Sequence, residues 1–512
     1  MRHPSCLRTI VRNSTASAGP AVSQRDGLIS RLFRRPGGGK RESDQLLGRA
    51  AEAHRTILGC AASEATATCP AADGLRSICT LLEHPSVRAV ARWFLVDPAF
   101  VEGLHRAAGV SQTVANWHRA VAEPSIASVC PPADAESAYR LGNSLLPLLL
   151  RDDPRWVGRI ALRTDVYGRL RFPLSDWNLV LCGAEGPSCV LSDELVHASL
   201  TRHDVRLSIG RSDERELLSM PRDEWLRAIV GNDPQLDGRR IRFAKSDVTT
   251  RLQFAGAIPG WRVRYEPVTF CDDQGHSALT GGVVTAILNA IARHSPAIRC
   301  EFHSLMSVVR GWELLAADYG TIQSFSDPTL PRVMGINVTY GADHEPQICP
   351  LCFTWFGHEL GHTKSYLIET ILHVRGEALT TNQSEYTDVI ERYGRALSFR
   401  TLLQVPYTHL YEWTLLMDFL DGRFSGLPWE ITDDPIAFGN DIHSEIVEAF
   451  NRIERGSQLT PCGAAAMSRL HGLCSEALVR WQALRAKVAS FPSSWGYLDG
   501  GPPRWVANSL GR

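Results

Sequence analysis

Lysine is scarce in this 512-residue chain: Lys40, Lys245, Lys364 and Lys487 are the only four, and arginine supplies the rest of the 54 basic residues. Against 55 acidic residues the formal net charge is −1. That balance excludes the broad attraction to nucleic acid or an acidic membrane that a surface of one sign produces. A run of about 18 uncharged apolar residues is also missing, so no membrane span is expected. The chain shows neither an internal repeat nor a glycine-rich nucleotide loop. Cysteine is present but odd in number, 13 in all, and scattered. This usage fits a reducing, cytoplasmic setting better than a disulfide scaffold. Cys349 and Cys352 form a lone CxxC. A zinc site would need a second pair, so these two read as ordinary buried thiols.

The chain is too long for one simple core, and its hydrophobic share of 44% is that of a globular protein. Residues 1–42 are rich in arginine and serine, and Asp26 is the only acid before Glu42. They read as a disordered basic tail, although a transit peptide has a similar composition. Residues 43–150 read as a helical N-terminal domain, with apolar residues at three- and four-residue spacing over 81–97 and 137–150. Residues 151–270 change texture. Short alternating runs such as RIALRTDVYGRLRFPL, NLVLCG and DVRLSIG predict a β-rich segment. Residues 271–512 predict a mostly helical domain, with a strand over 331–340 and helices over 277–294, 301–320, 355–373, 385–398, 399–419, 434–455 and 464–489. The fold class expected is α+β.

The chemistry concentrates in WFGHELGHTKSYLIETILH, residues 355–373. On a helix, His358 and His362 stand one above the other on one face and can offer two imidazoles to one ion. Glu359 points about 100° away, toward a metal-bound water or the surroundings of the ion. Two imidazoles alone leave the geometry loose, so a third donor is required. Glu369 and His373 lie about 10 Å or more along a straight helix, and Glu377 follows them. His409, on a later apolar helix, is the first candidate and Glu385 the second. The competing reading is a partly buried helix whose histidines merely hydrogen-bond to neighbours.

Several stretches, taken in order, resemble the HExxH-motif peptide-modification proteins, some of which are Fe(II)- and 2-oxoglutarate-dependent peptide β-hydroxylases. They are HPSV in LLEHPSVRAVARW, DVYGRLRFPL, SFSDPTLPRVMGINVTY, HELGHTKSYLIETI and RALSFRTLLQVPYTHLYEW. The family's later histidine sits nearer Tyr407 than His409, a departure that touches the third ligand. The resemblance implies a metal held by His358, His362 and His409. It implies Glu359 beside the ion, and Arg395 or Arg400 as the forked cation for the far carboxylate of 2-oxoglutarate. It also implies β-hydroxylation of a side chain in a ribosomally made precursor peptide, alongside other peptide-tailoring enzymes.

Two other classes remain open from the residues. A zinc metallopeptidase would use the same histidines, with Glu359 as general base on a Zn²⁺-bound water. A non-catalytic peptide-binding partner would carry a degenerate site with no third donor near both imidazoles.

Overall fold

The computed structural model describes residues 22–64, isolated residues between 79 and 143, strand segments between 157 and 267, and most of 276–489. Both helices and sheets are present. The helices expected over 81–97 and 137–150 fall almost entirely outside the described residues. The chain divides into two units. One comprises Gly48–Gly275 with Asp327–Val333 and a short N-terminal piece; the other comprises Asn13–Leu47, His276–Ser326 and Met334–Arg512.

The first unit is where the alternating runs fall. Strands β1 (Gly158–Arg163), β4 (Leu195–Leu200), β5 (Asp204–Ile209) and β6 (Arg215–Pro221) make one antiparallel sheet in the order β1-β4-β5-β6. Strands β2 (Arg169–Arg171), β3 (Trp177–Cys182), β7 (Arg240–Ile241) and β8 (Thr249–Phe254) make a second in the order β2-β3-β8-β7. The period of two puts every second side chain on one face. Leu162, Val196, Ala198, Val205 and Leu207 from the first sheet share one buried cluster with Leu170, Leu179 and Leu181 from the second.

The second unit carries the helices. In the order of the described elements they are α1 (Val22–Leu32), α2 (Lys40–Glu64, which crosses the boundary), α3 (His276–His294), α4 (Pro296–Leu305), α5 (Phe353–Val374), α6 (Phe399–Asp421), α7 (Pro435–Gly456) and α8 (Pro461–Ala489). Strands β9 (Gly256–Ala257) and β10 (Arg264–Pro267) precede α3; between α4 and α5 come β11 (Val308–Leu315), then β12 (Ser324–Ser326) and β14 (Pro346–Gln347), which pair antiparallel with β13 (Val333–Tyr340).

Three expectations are corrected. Residues 22–42 are not a disordered tail: α1 lies there, because Leu28, Ile29, Leu32 and Phe33 bury their side chains. The Tyr407 hydroxyl also donates to the Arg34 carbonyl at 3.1 Å and Arg469 donates to the Phe33 carbonyl at 3.2 Å. The helix expected over 301–320 stops at Leu305, and Val308–Leu315 is a strand; its β-branched, alternating start outweighs the helical spacing. No helix occupies 385–390; Tyr386 and Ser398 instead form an isolated antiparallel bridge that leads into α6.

Helices α5 and α6 form the central seam. Ser398 caps α6 by accepting from the Thr401 amide, and the helix continues through Pro406. Two glycines bring the backbones together. A Cβ on Gly361 would stand 2.7 Å from the Thr408 Cα, and one on Gly357 2.8 Å from the Tyr411 carbonyl oxygen. Beneath the seam lies a buried polar knot. Lys364 donates to Glu301 and to the Tyr411 hydroxyl, each at 2.5 Å, and the Gly37 amide donates to the second Glu301 oxygen at 2.8 Å. Burial opposes the Lys364 charge, but Glu301 beside it outweighs burial and keeps the amine protonated.

Two stability predictions follow from this seam. Gly361→Ala gains about 1 kcal/mol of helix propensity but forces the helices apart at a cost of about 1–3 kcal/mol. Thermal melting is expected to show a lower Tm, and a raised Tm contradicts the close approach. Lys364→Met strands Glu301 and is expected to cost about 3–5 kcal/mol, read as a lower denaturant midpoint that Lys364→Met with Glu301→Gln partly restores.

Candidate metal centre

The α5–α6 seam brings His358 of the motif to His409, the residue chosen from the later helix. The ring centroids of His358 and His362 are 4.9 Å apart, and those of His358 and His409 are 5.0 Å apart. One donor atom each from His358, His409 and Glu412 lies within 4.8 Å of the others. The helix spacing explains both pairs: His358 and His362 are four apart on α5, and His409 and Glu412 three apart on α6.

Each imidazole is held at Nδ1 by an oxygen. His358 Nδ1 faces Glu412 Oε2 at 2.9 Å, His362 Nδ1 faces Gln404 Oε1 at 3.2 Å, and His409 Nδ1 faces the Val405 carbonyl at 3.2 Å. A carboxylate, an amide oxygen and a backbone carbonyl only accept, so Nδ1 carries the proton in each case. Nε2 is then the nitrogen of His358 and His362 that a metal would take when an outer acceptor fixes the other, whereas His409 Nε2 faces the Glu445 carboxylate at 2.7 Å. The Gln404 orientation is itself fixed: its NH₂ donates to Glu369 Oε1 at 2.6 Å, which turns its oxygen toward His362. Arg400 holds the other Glu369 oxygen, from Nε at 2.7 Å and Nη2 at 2.6 Å. Arg400, Glu369, Gln404 and His362 thus form one chain of hydrogen bonds leading to the ring.

Charge gathers around these rings. Burial alone would hold His358 low. The hydrogen bond and charge of Glu412, helped by Glu359 and Glu445, outweigh it and push His358 up to about 9. His409 Nε2 lies 2.7 Å from Glu445 of α7 and 3.9 Å from Glu412. Such a pocket suits a divalent cation, which would replace protons as the counter-charge.

Glu359 points elsewhere. It is 2% exposed. Ser324 Oγ donates to Oε1 at 2.7 Å and Ser326 Oγ donates to Oε2. Both serines sit on β12, where the period of two puts them on one face. Burial pushes the Glu359 carboxyl up from its ordinary range.

The structure therefore gathers donor atoms of His358, His409 and Glu412; the ring of His362 lies next to that of His358 but is not part of this cluster. Arg400 is spent on an internal carboxylate, and Arg395 lies outside the described residues. Glu385, the second candidate for a ligand, accepts from Asn382 at 3.0 Å in the loop before α6. Glu377 contacts Cys462, and Cys352 is buried at the start of α5, its motif partner Cys349 lying outside the described residues. Sequence reasoning missed Glu412, although its three-residue spacing from His409 was a usable signal. It also missed Gln404 and the two serines, which become meaningful only when the partner helix and strand are placed.

Gln404→Leu tests the orientation of His362. It removes the Nδ1 acceptor without changing charge, and weakening of Fe(II) or Co(II) binding by about 10- to 100-fold is expected, measured by titration of the metal-free protein. Unchanged affinity would mean that His362 needs no such support.

No helix among the described residues is long and apolar enough to cross a membrane. In comparison with known proteins, no family model and no curated protein matches the chain.

Proposed function

We propose that the chain is a cytoplasmic metal-dependent oxygenase that uses Fe(II) and 2-oxoglutarate to β-hydroxylate a side chain in a ribosomally synthesised precursor peptide. The mainly helical C-terminal part is then its metal-binding domain. The observation that supports the metal part is the cluster of donor atoms from His358, His409 and Glu412 across the α5–α6 seam, with His362 beside His358 and each ring restrained at Nδ1. The class of substrate rests on the resemblance of the HELGH and LLQVPYTHLYEW stretches to the peptide hydroxylases.

In this reading His358, His362 and His409 would hold the ion, and Fe(II) bound there would supply oxygenase chemistry. When bound, the iron lets O₂ divide between decarboxylation of 2-oxoglutarate to succinate and CO₂, which takes one oxygen atom, and a peptide C–H bond, which takes the other. Glu412 orients His358 and balances the charge of the ion. Arg400 does not fit as the clamp for the far carboxylate, because Glu369 already neutralises it on two of its nitrogens. Its part is to orient Gln404 and, through it, His362. Arg395 remains the arginine proposed for the cosubstrate.

The zinc peptidase reading needs Glu359 to take a proton from metal-bound water. Both Glu359 oxygens instead receive serine hydroxyls, which favours a carboxylate that fastens α5 to β12 over one that shuttles protons. A binding partner with a degenerate site would not need three oriented imidazoles.

The experiment is anaerobic loading with Fe(II), then addition of 2-oxoglutarate, O₂ and the short peptides encoded beside the gene. Succinate and a peptide heavier by one oxygen atom are expected, with both lost in His358→Ala and His409→Ala. Peptide cleavage by the zinc-loaded protein, with no succinate from the iron form, replaces this reading with the peptidase.

A further inference from the structure

We infer that a groove between α7 and residues 386–388 docks the precursor peptide, as an extended strand added to the free edge of that segment. The inference rests on the reading of the substrate as a peptide and deepens it. Helix α7 has two faces. Ile442, Ile446, Ala449 and Ile453 are buried on one. On the other, His443, Val447 and Asn451 form one row at four-residue spacing and Ser444, Glu448 and Arg452 the next, with Arg455 beyond them. These residues line a cavity of about 780 Å³ that Tyr386, Thr387 and Asp388 also line. From His443 to Arg455 the helix rises about 18 Å, the length of about five extended residues. A cavity of that reach fits a chain better than a compact small molecule.

Two observations name the occupant. The first concerns the main chain. The Thr387 amide donates to the Leu397 carbonyl and the Phe399 amide donates to the Glu385 carbonyl, each at 2.9 Å. Tyr386 and Ser398 are therefore the non-hydrogen-bonded pair of their antiparallel bridge. The Tyr386 N–H and C=O point outward, with no main-chain partner among the described residues. One residue of an extended chain satisfies both at once, as an added strand does. The second concerns side chains. Five large apolar side chains are exposed among the described residues; Tyr386 and Val447 line this groove, and Val389 follows on the same segment. Arg452 is held by Glu448 at 2.9 Å, whereas Arg455 meets no carboxylate among the described residues. The groove thus matches a peptide with an apolar side chain for Tyr386 and Val447 and an acidic one for Arg455. Asp388 opposes a second acid on its own side. Helix α7 also carries Glu445, 2.7 Å from His409, so one helix joins the groove to the metal centre.

The test uses the full chain without metal and fluorescein-labelled overlapping peptides that tile the short peptides encoded beside the gene, read by fluorescence anisotropy. At least one tile is expected to bind. Val447→Glu and Tyr386→Pro, which removes the outward N–H, are each expected to weaken it about 10-fold or more. Tyr386→Ala keeps that N–H and is expected to lose less. Arg455→Gln is expected to weaken the same tile, and changing the tile's acidic residue to its amide is expected to cancel that difference. Val479→Glu, at an exposed valine of α8 outside the groove, is expected to match the wild type. Circular dichroism identifies a variant that fails to fold. N-methylation of the bound tile, residue by residue, tests the added strand without altering the protein, and loss of binding is expected at the position paired with Tyr386. Wild-type affinity in Val447→Glu and Arg455→Gln, tolerance of N-methylation at every position, or no tile bound by the wild type overturns the inference. A dimer that Val447→Glu dissociates assigns the groove to a second copy of the chain and overturns it too. Hydroxylation at wild-type KM by Val447→Glu removes the groove and leaves the oxygenase. A tile held in the groove with no succinate formed removes the oxygenase and leaves the groove.

Discussion

The distance between α5 and α6 governs this site. Gly357 and Gly361 face the backbone of α6 so closely that neither tolerates a Cβ without movement. They flank His358 and precede His362, so the tightest point of the helix contact is also where the imidazoles emerge. A wider seam would carry His409 away from the motif and separate Gln404 from His362. The packing and the chemistry are therefore one constraint, met by spending helix propensity at two positions. Lys364, two residues beyond His362, fixes the far side of the seam through Glu301 and Tyr411. Glu301 in turn receives the Gly37 amide, so the segment after α1 is tied to the same knot.

Orientation is the second layer. An imidazole with both nitrogens unconstrained can turn its wrong edge to a metal. Here the restraint comes from three different sources: a side-chain carboxylate, a side-chain amide and a carbonyl one turn back on the same helix. The Gln404 restraint is the longest, because an amide can flip, and its orientation depends on Glu369 and finally on Arg400. A cation adopted from sequence as a ligand clamp thus has a full explanation inside the protein. Arg400 and Glu369 lie on different helices, and no spacing rule connects residues across a seam whose register is unknown.

Much of the local structure was legible, for particular reasons. The alternating runs of 158–221 announce strands because side chains from each of these strands enter one buried cluster, and α7 and α8 begin at Pro435 and Pro461, residues suited to a first helical turn. His358 and His362 were legible because their relation lies within one helix. His409 was reachable because it is a histidine on a helix otherwise apolar around it. Glu412 carried the same signal and was passed over, since a glutamate among tyrosine and tryptophan looks like one more satisfied polar group. The roles of Ser324, Ser326 and Glu445 were not legible at all. Their meaning depends on which strand and which helix the chain returns to, and that is decided by tertiary packing. The tail failed differently: its composition suggests disorder, yet four apolar side chains, from Leu28 to Phe33, suffice to order α1.

The position of Glu359 gives the motif its sense. In a peptidase the glutamate between the histidines has to keep one oxygen for water and exchange protons with it on every turnover. A carboxylate whose two oxygens each hold a serine hydroxyl, at 2% exposure, would have to break one of those bonds in a dry environment each time. Its raised affinity for a proton does not rescue that role, because burial raises it and burial also denies water access. The serines instead convert the glutamate into a tether between α5 and β12. The same four-residue spacing of histidines therefore survives with its middle residue reassigned, from proton carrier to anchor. In the oxygenase reading proposed above, what remains for catalysis would be the ion and the small ligands it gathers. An oxygenase needs no more from this face of the helix, because its reactive groups come from the cosubstrate and O₂ rather than from a side chain.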